Sequence, residues 1–264
     1  MPVTVHADTR RLEQSEFGQI AYRVMDHAFA IHNEMGRFLD EDIYRDALTV
    51  HVGNCESEVR IEVCFQDFAR NYFIDLLVDG GAVFELKAAK RLDATHRSQI
   101  LNYLMLSGLS HGKLVNFRPE LVEHEFVNTT MTRAGRTRFA VTESQWIDPE
   151  PRGIKLKQWL VEFIKDVGTG LDVRLYESAV THVCGGEEAV SQPVSVYSGS
   201  QQVGQQKMRL AISDWAFKVT TIDDAGLRRF EDHTRRLLHC TRLSGLHWIN
   251  ITRGHVTFST IRNM

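Results

Sequence analysis

Three charged residues lie inside two hydrophobic segments that the sequence predicts as neighbouring β-strands. Residues 73–90, FIDLLVDGGAVFELKAAK, carry an Asp-Gly-Gly turn signal between two strand-like runs. If the chain turns at Gly80, Asp75 falls opposite Glu85, about 5 Å away on the same face of a hairpin. Lys87 projects from that face too, because residues two apart on a strand point the same way. The fold must therefore place these charges either in solvent or in a polar site.

Two carboxylates at this separation repel each other unless a cation or a shared proton relieves the repulsion. A divalent metal does so, and hard oxygen ligands favour Mg²⁺ or Mn²⁺. With a lysine beside them, such carboxylates suit metal-assisted hydrolysis of a phosphodiester bond. The alternative is a surface hairpin with solvated charges, and the pattern alone favours neither interpretation.

The composition indicates a soluble globular protein. The chain has 264 residues, of which 43% are hydrophobic and 25% charged, enough for one large domain or two small ones. The formal net charge of -3 excludes a general basic field, so any nucleic-acid surface must be a local patch. Four widely spaced cysteines without a CxxC pair favour a reducing compartment. Since no apolar leader or membrane-length segment is present, we expect a cytoplasmic protein.

The hydrophobic periodicity predicts an α/β fold with the order helix, helix, strands, helix, strands. Helices are predicted at 16–34, 40–52 and 95–108, and strands at 60–65, 72–78, 82–88, 112–117 and 122–127. Threonine, glycine and proline clusters after residue 128 predict a linker. The expected domains are a first lobe at 1–128, a linker at 129–155 and a second lobe at 156–264.

The second half of the chain repeats the first. Three pairs of segments match in the same order: 35–48 with 167–180, 73–87 with 207–221, and 96–109 with 233–246. Their offsets stay between about 132 and 137 residues. Repetition on the scale of a whole domain predicts two similar tandem lobes rather than a solenoid.

The charged hairpin and the helix after it resemble the PD-(D/E)XK nuclease superfamily. The resemblance rests on these residues: Asp75, Glu85-Leu86-Lys87, and Gln99 and Tyr103 of a QxxxY helix. More narrowly, residues 17–127 resemble the bacterial GxxExxY proteins. The matching stretches are IHNEMGRFLDEDIYRDAL, FIDLLVDGGAVFELKAAK and QILNYLMLSGLSHGKLVNF. Glu41 and Tyr44 keep the motif, whereas Phe38 stands where the family has its glycine.

The resemblance implies a restriction-endonuclease-like mixed sheet flanked by helices, and a role for each matched residue. Asp75 and Glu85 would be metal ligands, with help from the backbone carbonyl of Leu86. Lys87 would be the catalytic lysine, and Glu41 would support the metal or the attacking water. The QxxxY residues would support the site or contact the phosphate: Gln99 and Tyr103.

The second lobe lacks these site residues. At the six site positions the sequence alignment places Val173, Arg209, Val219, Thr221, Arg236 and Cys240. Arginine, valine and threonine at the positions of Asp75, Glu85 and Lys87 hold no metal, and an alignment error of one residue would only put Lys218 at the position of Glu85. The second lobe is therefore predicted to be a degenerate copy that either contacts phosphate or packs against the first lobe. Its arginines could contact nucleic acid or form a solvated helix face: Arg228, Arg229, Arg235, Arg236 and Arg242.

The sequence therefore predicts a Mg²⁺- or Mn²⁺-dependent nuclease that acts on DNA, with RNA as the second candidate substrate. The alternative is a non-catalytic module that binds nucleic acid or protein, including a subunit of a larger bacterial defence or repair assembly. Expected partners are nucleic acid and, in addition, a protein partner or a second copy of the chain. No membrane partner is expected.

Overall fold

The chain forms two compact units, residues 1–133 and 134–264, which we call the first and second lobes. The structure is a computed structural model that describes residues 2–149 and 155–263. Each lobe contains one six-stranded mixed sheet with helices packed on it. This confirms the predicted α/β fold with two similar restriction-endonuclease-like lobes. No helix within the described ranges is long and apolar enough to cross a membrane.

The strands of the first lobe lie in chain order across the sheet. Its elements are β1 (Val3–Val5), α1 (Gln14–Met35), α2 (Glu41–His51), β2 (Cys55–Phe65), β3 (Phe68–Val78), β4 (Ala82–Lys87), α3 (Ala94–Ser107), β5 (His111–Asn116) and β6 (Glu123–Asn128). Among the described strands of this lobe, β4 and β5 are the one parallel pair, and α3 connects them. A parallel pair needs such a crossover because a short turn cannot reverse the chain.

The core of the first lobe is formed by the apolar faces of α1 and α2 and by one face of the sheet. Val24 and Ala28 of α1 and Leu48 of α2 pack with Phe84 and Leu86 of β4. Phe84 and Leu86 alternate with the charged residues of β4, since successive strand residues point to opposite faces. Burial of this face directs the charges of β4 to the opposite face.

The second lobe repeats this arrangement from α5 onwards. Its elements are α4 (Arg133–Arg136), β7 (Ala140–Ser144), α5 (Leu156–Val167), α6 (Val173–Val183), α7 (Glu187–Val190), β8 (Ser191–Ser198), β9 (Gln201–Ile212), β10 (Trp215–Thr220), α8 (Asp224–Thr241), β11 (Gly245–Thr252) and β12 (His255–Arg262). The strand order is β7-β12-β11-β10-β9-β8, and β10 and β11 form a parallel pair joined by α8.

Part of the predicted linker belongs to the second sheet. Within 129–155, β7 pairs in parallel with β12 and forms an edge of that sheet. Every residue of β7 is exposed, so it has no alternation of apolar and polar residues that would indicate a strand. Its partner β12 is more than 100 residues later in the chain, so only the tertiary structure brings the two strands together. Residues 150–154 of the predicted linker lie outside the described residues.

Asparagine side chains at equivalent positions show how the two lobes correspond. Asn116 accepts a hydrogen bond from the backbone N–H of Ala89 (3.0 Å) and donates one to its carbonyl (2.8 Å). Asn250 makes the same two hydrogen bonds with Ile222, both 2.8 Å long. We therefore treat the two asparagines, and the two loop residues that they hold, as equivalent.

This correspondence corrects the sequence alignment of the strand that carries Glu85 and Lys87. The asparagine pairs across the parallel strands with Lys87 in the first lobe and with Thr220 in the second. Two residues earlier, Lys218 therefore takes the position of Glu85. The turn before β4 has three residues, whereas the turn before β10 has two. This difference of one residue shifts the register. The sequence alignment placed Val219 and Thr221 at the positions of Glu85 and Lys87, and it was wrong by one residue.

The ends of α3 and α8 correct the alignment of the helix. Gly108 and Arg242 both follow the last helical residue in the left-handed conformation, with φ of 74° and 58°. The Ser-Gly-Leu repeat that guided the sequence alignment is not equivalent, because Gly245 begins a strand instead of ending a helix. Counted back from the caps, the positions of Gln99 and Tyr103 are taken by His233 and Leu237. The alignment was wrong to place two other residues there: Arg236 and Cys240.

Candidate active site

The acidic groups of the first lobe converge on the ammonium of Lys87. Its Nζ lies 2.7 Å from Glu85 Oε1, 3.1 Å from Glu41 Oε1 and 4.0 Å from Asp75 Oδ2. It also donates a hydrogen bond to the backbone carbonyl of Leu86 at 2.6 Å. Three carboxylates from α2, β3 and β4 and one carbonyl therefore surround the same point.

The local structure explains how these groups meet. The paired part of β3 and β4 reaches Leu76 and Phe84, and Asp75 comes immediately before it on β3. The carboxylate of Asp75 accepts a hydrogen bond from the backbone N–H of Leu86 at 2.7 Å, which fixes it against β4. Glu41 is the first residue of α2, and the packing of this helix brings it to the end of β4. The cluster thus needs both the hairpin and the helix.

Burial sets the charge state of the cluster. Glu85 is fully buried, and burial, followed by the nearby charge of Asp75, raises its pKa to about 8. Its Oε2 has no hydrogen-bond partner among the described residues. Burial opposes the charge on Lys87, but the surrounding carboxylates outweigh this effect and raise its pKa. The site therefore holds a permanent ammonium beside a carboxyl group that is only partly ionised at neutral pH.

Asp75 is also affected by a residue that the sequence did not indicate. Burial raises the pKa of Asp75, whereas Lys87 and the N–H of Leu86 act in the opposite direction. The charge of Arg45 also favours the ionised form. Arg45 lies one helical turn after Glu41, and that spacing on α2 is the signal that would have found it. Its guanidinium forms an ion pair with Glu58 at 3.3 Å.

The two QxxxY residues lie beside the cluster and bond to each other. Gln99 donates a hydrogen bond to the hydroxyl of Tyr103 at 2.9 Å. Burial, followed by the charge of Glu85, raises the pKa of Tyr103 to about 12, so it stays protonated. In the described part of the chain, neither side chain hydrogen-bonds a carboxylate of the cluster. Their arrangement leaves them next to the carboxylates, on α3.

The donor atoms fit a divalent metal in their chemistry. Asp75, Glu85 and the carbonyl of Leu86 supply only oxygen, which Mg²⁺ and Mn²⁺ prefer. Among the residues that the structure describes, no donor reaches the buried Oε2 of Glu85. However, no group of three or more His, Cys, Asp or Glu side chains within 2–149 and 155–263 is placed to hold a metal. The candidate donors are two carboxylates and one carbonyl, and Lys87 donates hydrogen bonds to Glu85 and to the Leu86 carbonyl.

The predicted arginines of the second lobe lie on or at the end of α8, and all five are exposed. Arg228 and Arg235 are seven residues apart and share one face, whereas Arg229 and Arg236 lie about 100° further around the helix. Arg235 pairs with Glu231 at 2.7 Å. The guanidinium of Arg242 lies 3.7 Å from the centroid of the Tyr197 ring. The structure thus spreads these arginines over two helix faces.

Comparison with known proteins identifies the class of the first lobe. Residues 18–129 match the family model described as the PD-(D/E)XK nuclease superfamily, which places this part of the chain in that superfamily. Its members generally use divalent metals. A nuclease-type domain is therefore indicated for the first lobe.

No curated protein matches the chain. Three chains of solved structures match it. One, titled "Crystal structure of SSO0001", has 22% sequence identity and a TM-score of 0.29. The match covers 46% of this chain and 61% of that chain, so the chain spans less than two thirds of that protein.

Proposed function

We propose that the first lobe is a metal-dependent nuclease that hydrolyses phosphodiester bonds of DNA, with RNA as the second candidate substrate. The observation that carries the proposal is the convergence of Glu41, Asp75, Glu85 and the Leu86 carbonyl on Lys87 Nζ. A scaffold has no need for this cluster, because burying carboxylates together costs free energy. The superfamily match over residues 18–129 supports the same chemistry.

Asp75, Glu85 and the carbonyl of Leu86 would hold Mg²⁺ or Mn²⁺. A divalent ion bound there supplies Lewis acidity, which polarises the phosphoryl oxygen and makes a water molecule more acidic. Lys87, freed from its contacts with Asp75 and Glu85, orients the attacking water and stabilises the negative charge that develops on the phosphate. Glu41 holds the ammonium of Lys87 in position.

The remaining matched residues have supporting roles in this proposal. Gln99 and Tyr103 line the side of the cluster and donate hydrogen bonds to the phosphate. The positive charge of Arg45 lowers the pKa of Asp75 and so favours its ionised form. The motif around Glu41 and Tyr44 supports assignment to the GxxExxY proteins.

The second lobe is, in this proposal, a copy that has lost the nuclease site. The order of its elements from α5 to β12 and its asparagine hydrogen bonds support a duplication. Lys218 and Thr220 stand at the positions of Glu85 and Lys87. An amine and a hydroxyl at these positions do not replace a metal-binding carboxylate and a catalytic lysine.

A cleavage assay tests the proposed activity. Asp75→Asn and Lys87→Met should each lower the rate on single-stranded, duplex or branched DNA about 100- to 1000-fold in Mg²⁺ or Mn²⁺, as expected when one charged catalytic group is lost. Asp26→Asn, a change at an exposed carboxylate of α1, is the matched control and should retain full activity. Chelator should abolish cleavage by the wild type. Full activity in both site variants would reject the site.

The second candidate function is a non-catalytic module that binds nucleic acid or protein. It is favoured by the ion pairs of Lys87, which already occupy the carboxylates. A gel shift in chelator that is not followed by cleavage in either metal would support this alternative. Cleavage that appears only after a protein partner is added would instead identify the chain as the nuclease subunit of a larger assembly.

A further inference from the structure

The second lobe contains a cavity of about 520 Å³ beside β9, β10 and α8. This volume lies within the range of small-molecule sites, about 300–1000 Å³. Polar and apolar side chains both line it, including Lys218 from β10 and His233 from α8. A concave site of this kind can bind a ligand that has both a charged part and an apolar part.

The cavity occupies the position that corresponds to the candidate active site of the first lobe. Lys218 stands at the position of Glu85, as the strand register shows. His233 and Leu237 of α8, the helix that follows this strand, stand at the positions of the two QxxxY residues, and both line the cavity. The cavity therefore lies at the equivalent place in the second lobe, and different side chains line it.

Basic side chains predominate in this lining, whereas carboxylates predominate in the acidic cluster of the first lobe. Arg209 and Lys218 share one carboxylate, Glu177, at 2.8 and 3.4 Å, and Arg209 also pairs with Glu187 at 3.2 Å. Lys207 is exposed at the same cavity and has no ion pair within the described ranges. Three basic side chains thus face two carboxylates, and the carboxylates hold two of those basic side chains in place. An anionic group is the complement of such a lining.

The rest of the lining is apolar and aromatic. Met208, Phe230 and Leu237 contribute to the wall of the cavity. Phe230 packs against Trp248 with ring centroids 4.5 Å apart, which supports its ring from behind. A supported aromatic ring next to cations suits a flat heterocycle that is linked to a phosphate, because bases stack on such rings.

We propose that this cavity binds a nucleotide with a terminal phosphate. The phosphate is bound by Lys207, Arg209 and Lys218, and the base packs against Phe230. The ligand is either a free mononucleotide or the phosphorylated end of a nucleic-acid strand. The proposal goes beyond the nuclease function, since no cleavage by the first lobe is needed for binding here.

Two exposed arginines of α8 distinguish the two forms of the ligand, the free mononucleotide and the phosphorylated end of a strand. At about 100° per residue, Arg229 and Arg236 lie on the same side of α8 as His233, within about 60° of it. They continue the positive charge from the cavity along the helix. A strand end would contact them, whereas a mononucleotide would not reach as far.

Binding is measured on the full chain with Asp75→Asn, in chelator, so that cleavage cannot confuse the result. The probes are 2′-deoxyadenosine 5′-monophosphate and a tetranucleotide with and without a 5′-phosphate. All four tryptophans lie in the second lobe, and Trp248 supports Phe230, so tryptophan fluorescence reports this site. We expect the phosphorylated probes to bind at least about tenfold more tightly than the unphosphorylated tetranucleotide.

Lys218→Met and Lys207→Met should each weaken binding of the phosphorylated probes at least about tenfold. Lys165→Met, at an exposed lysine of α5 in the same lobe, is the matched control and should not alter the affinity. Tighter binding of the phosphorylated tetranucleotide than of the mononucleotide, lost in Arg236→Met, identifies the strand end. Equal affinities for these two probes identify the free nucleotide.

The proposal is overturned if no phosphorylated probe changes the fluorescence, or if the 5′-phosphate adds no affinity. It is also overturned if Lys207→Met and Lys218→Met, shown to be folded by circular dichroism, bind as tightly as the parent. A failed cleavage assay leaves these results unaffected, because the two tests concern different lobes and different variants.

Discussion

At the scale of single residues, His247 is a buried histidine without hydrogen bonds in the described part of the chain. It is 1% exposed, and neither ring nitrogen has a partner there. Its ring stacks on Trp215 at 5.2 Å and meets Trp146 edge-on at 5.3 Å. Burial lowers the pKa of His247 to about 4, so the ring is neutral at pH 7.

We predict that His247 makes the second lobe less stable in acid. Between about pH 6.5 and pH 4 the unfolded chain binds a proton at this position that the folded chain does not, so stability falls as the pH falls. The lowered pKa corresponds to a loss of about 2–3 kcal/mol at pH 4.5 relative to pH 7. Urea unfolding followed by tryptophan fluorescence measures this loss, since all four tryptophans are in the second lobe.

The comparison variant is His247→Phe, which retains an aromatic ring and removes the titrating group. Carboxylates titrate in both proteins, so the variant should lose less stability than the wild type over the same pH interval by about 2–3 kcal/mol. If the two proteins lose the same amount, His247 does not control the acid sensitivity.

At the scale of elements, a tyrosine closes the loop between the first two helices of each lobe. Tyr44 donates a hydrogen bond to the carbonyl of Gly36 at 2.7 Å and accepts one from the N–H of Leu39 at 3.3 Å. Phe38 lies in this loop without the left-handed conformation that its counterpart Gly170 adopts, with φ of 78°. The loop therefore does not need the motif glycine at this position.

The corresponding contacts of the second lobe are nearly identical. Tyr176 donates a hydrogen bond to the carbonyl of Gly168 at 2.7 Å and accepts one from the N–H of Leu171 at 3.2 Å. Both tyrosines are fully buried. A buried hydroxyl that satisfies two backbone groups fixes the start of the following helix.

We predict that Tyr44→Phe and Tyr176→Phe each destabilise their own lobe by about 1–3 kcal/mol, because a buried carbonyl and N–H lose their partner. Chemical unfolding measures the loss, followed by tryptophan fluorescence for Tyr176→Phe and by circular dichroism for Tyr44→Phe. Tyr22→Phe, at a tyrosine that is 80% exposed, is the control and should change stability by less than about 0.5 kcal/mol. An equally small effect at the buried tyrosines would show that the loop does not depend on them.

At the scale of the whole molecule, each lobe has its own sheet and its own hydrophobic core. The proposed metal ligands, Asp75, Glu85 and Leu86, all belong to the first lobe. A ligand that binds only the native state stabilises it in proportion to its occupancy. The response to metal should therefore be confined to the unfolding of one unit.

We predict that Mg²⁺ or Mn²⁺ at 100 times its dissociation constant stabilises the first lobe by about 2.7 kcal/mol. Calorimetry should show a higher melting temperature for the wild type and no shift for Asp75→Ala. The transition reported by tryptophan fluorescence, which belongs to the second lobe, should stay at the same temperature in both proteins. A shift in Asp75→Ala equal to that of the wild type would place metal binding elsewhere.

The sequence indicated much of the first lobe and its site because the signals there are local. Alternation on a strand places Glu85 and Lys87 on one face, and the Asp-Gly-Gly turn brings Asp75 to them. The family motif added Glu41. By contrast, the outer parts of β2 and β3 were missed, since their polar residues give no apolar alternation.

The sequence by itself determined the α/β class, the two similar lobes and the residues of the acidic cluster, because periodicity and turn signals act over a few residues. Only the tertiary structure decided the register of β10 and the membership of β7 in the second sheet. These features depend on hydrogen bonds between segments that are distant in the chain. A turn shorter by one residue was enough to place Lys218 at the position of Glu85, and no local pattern records that shift.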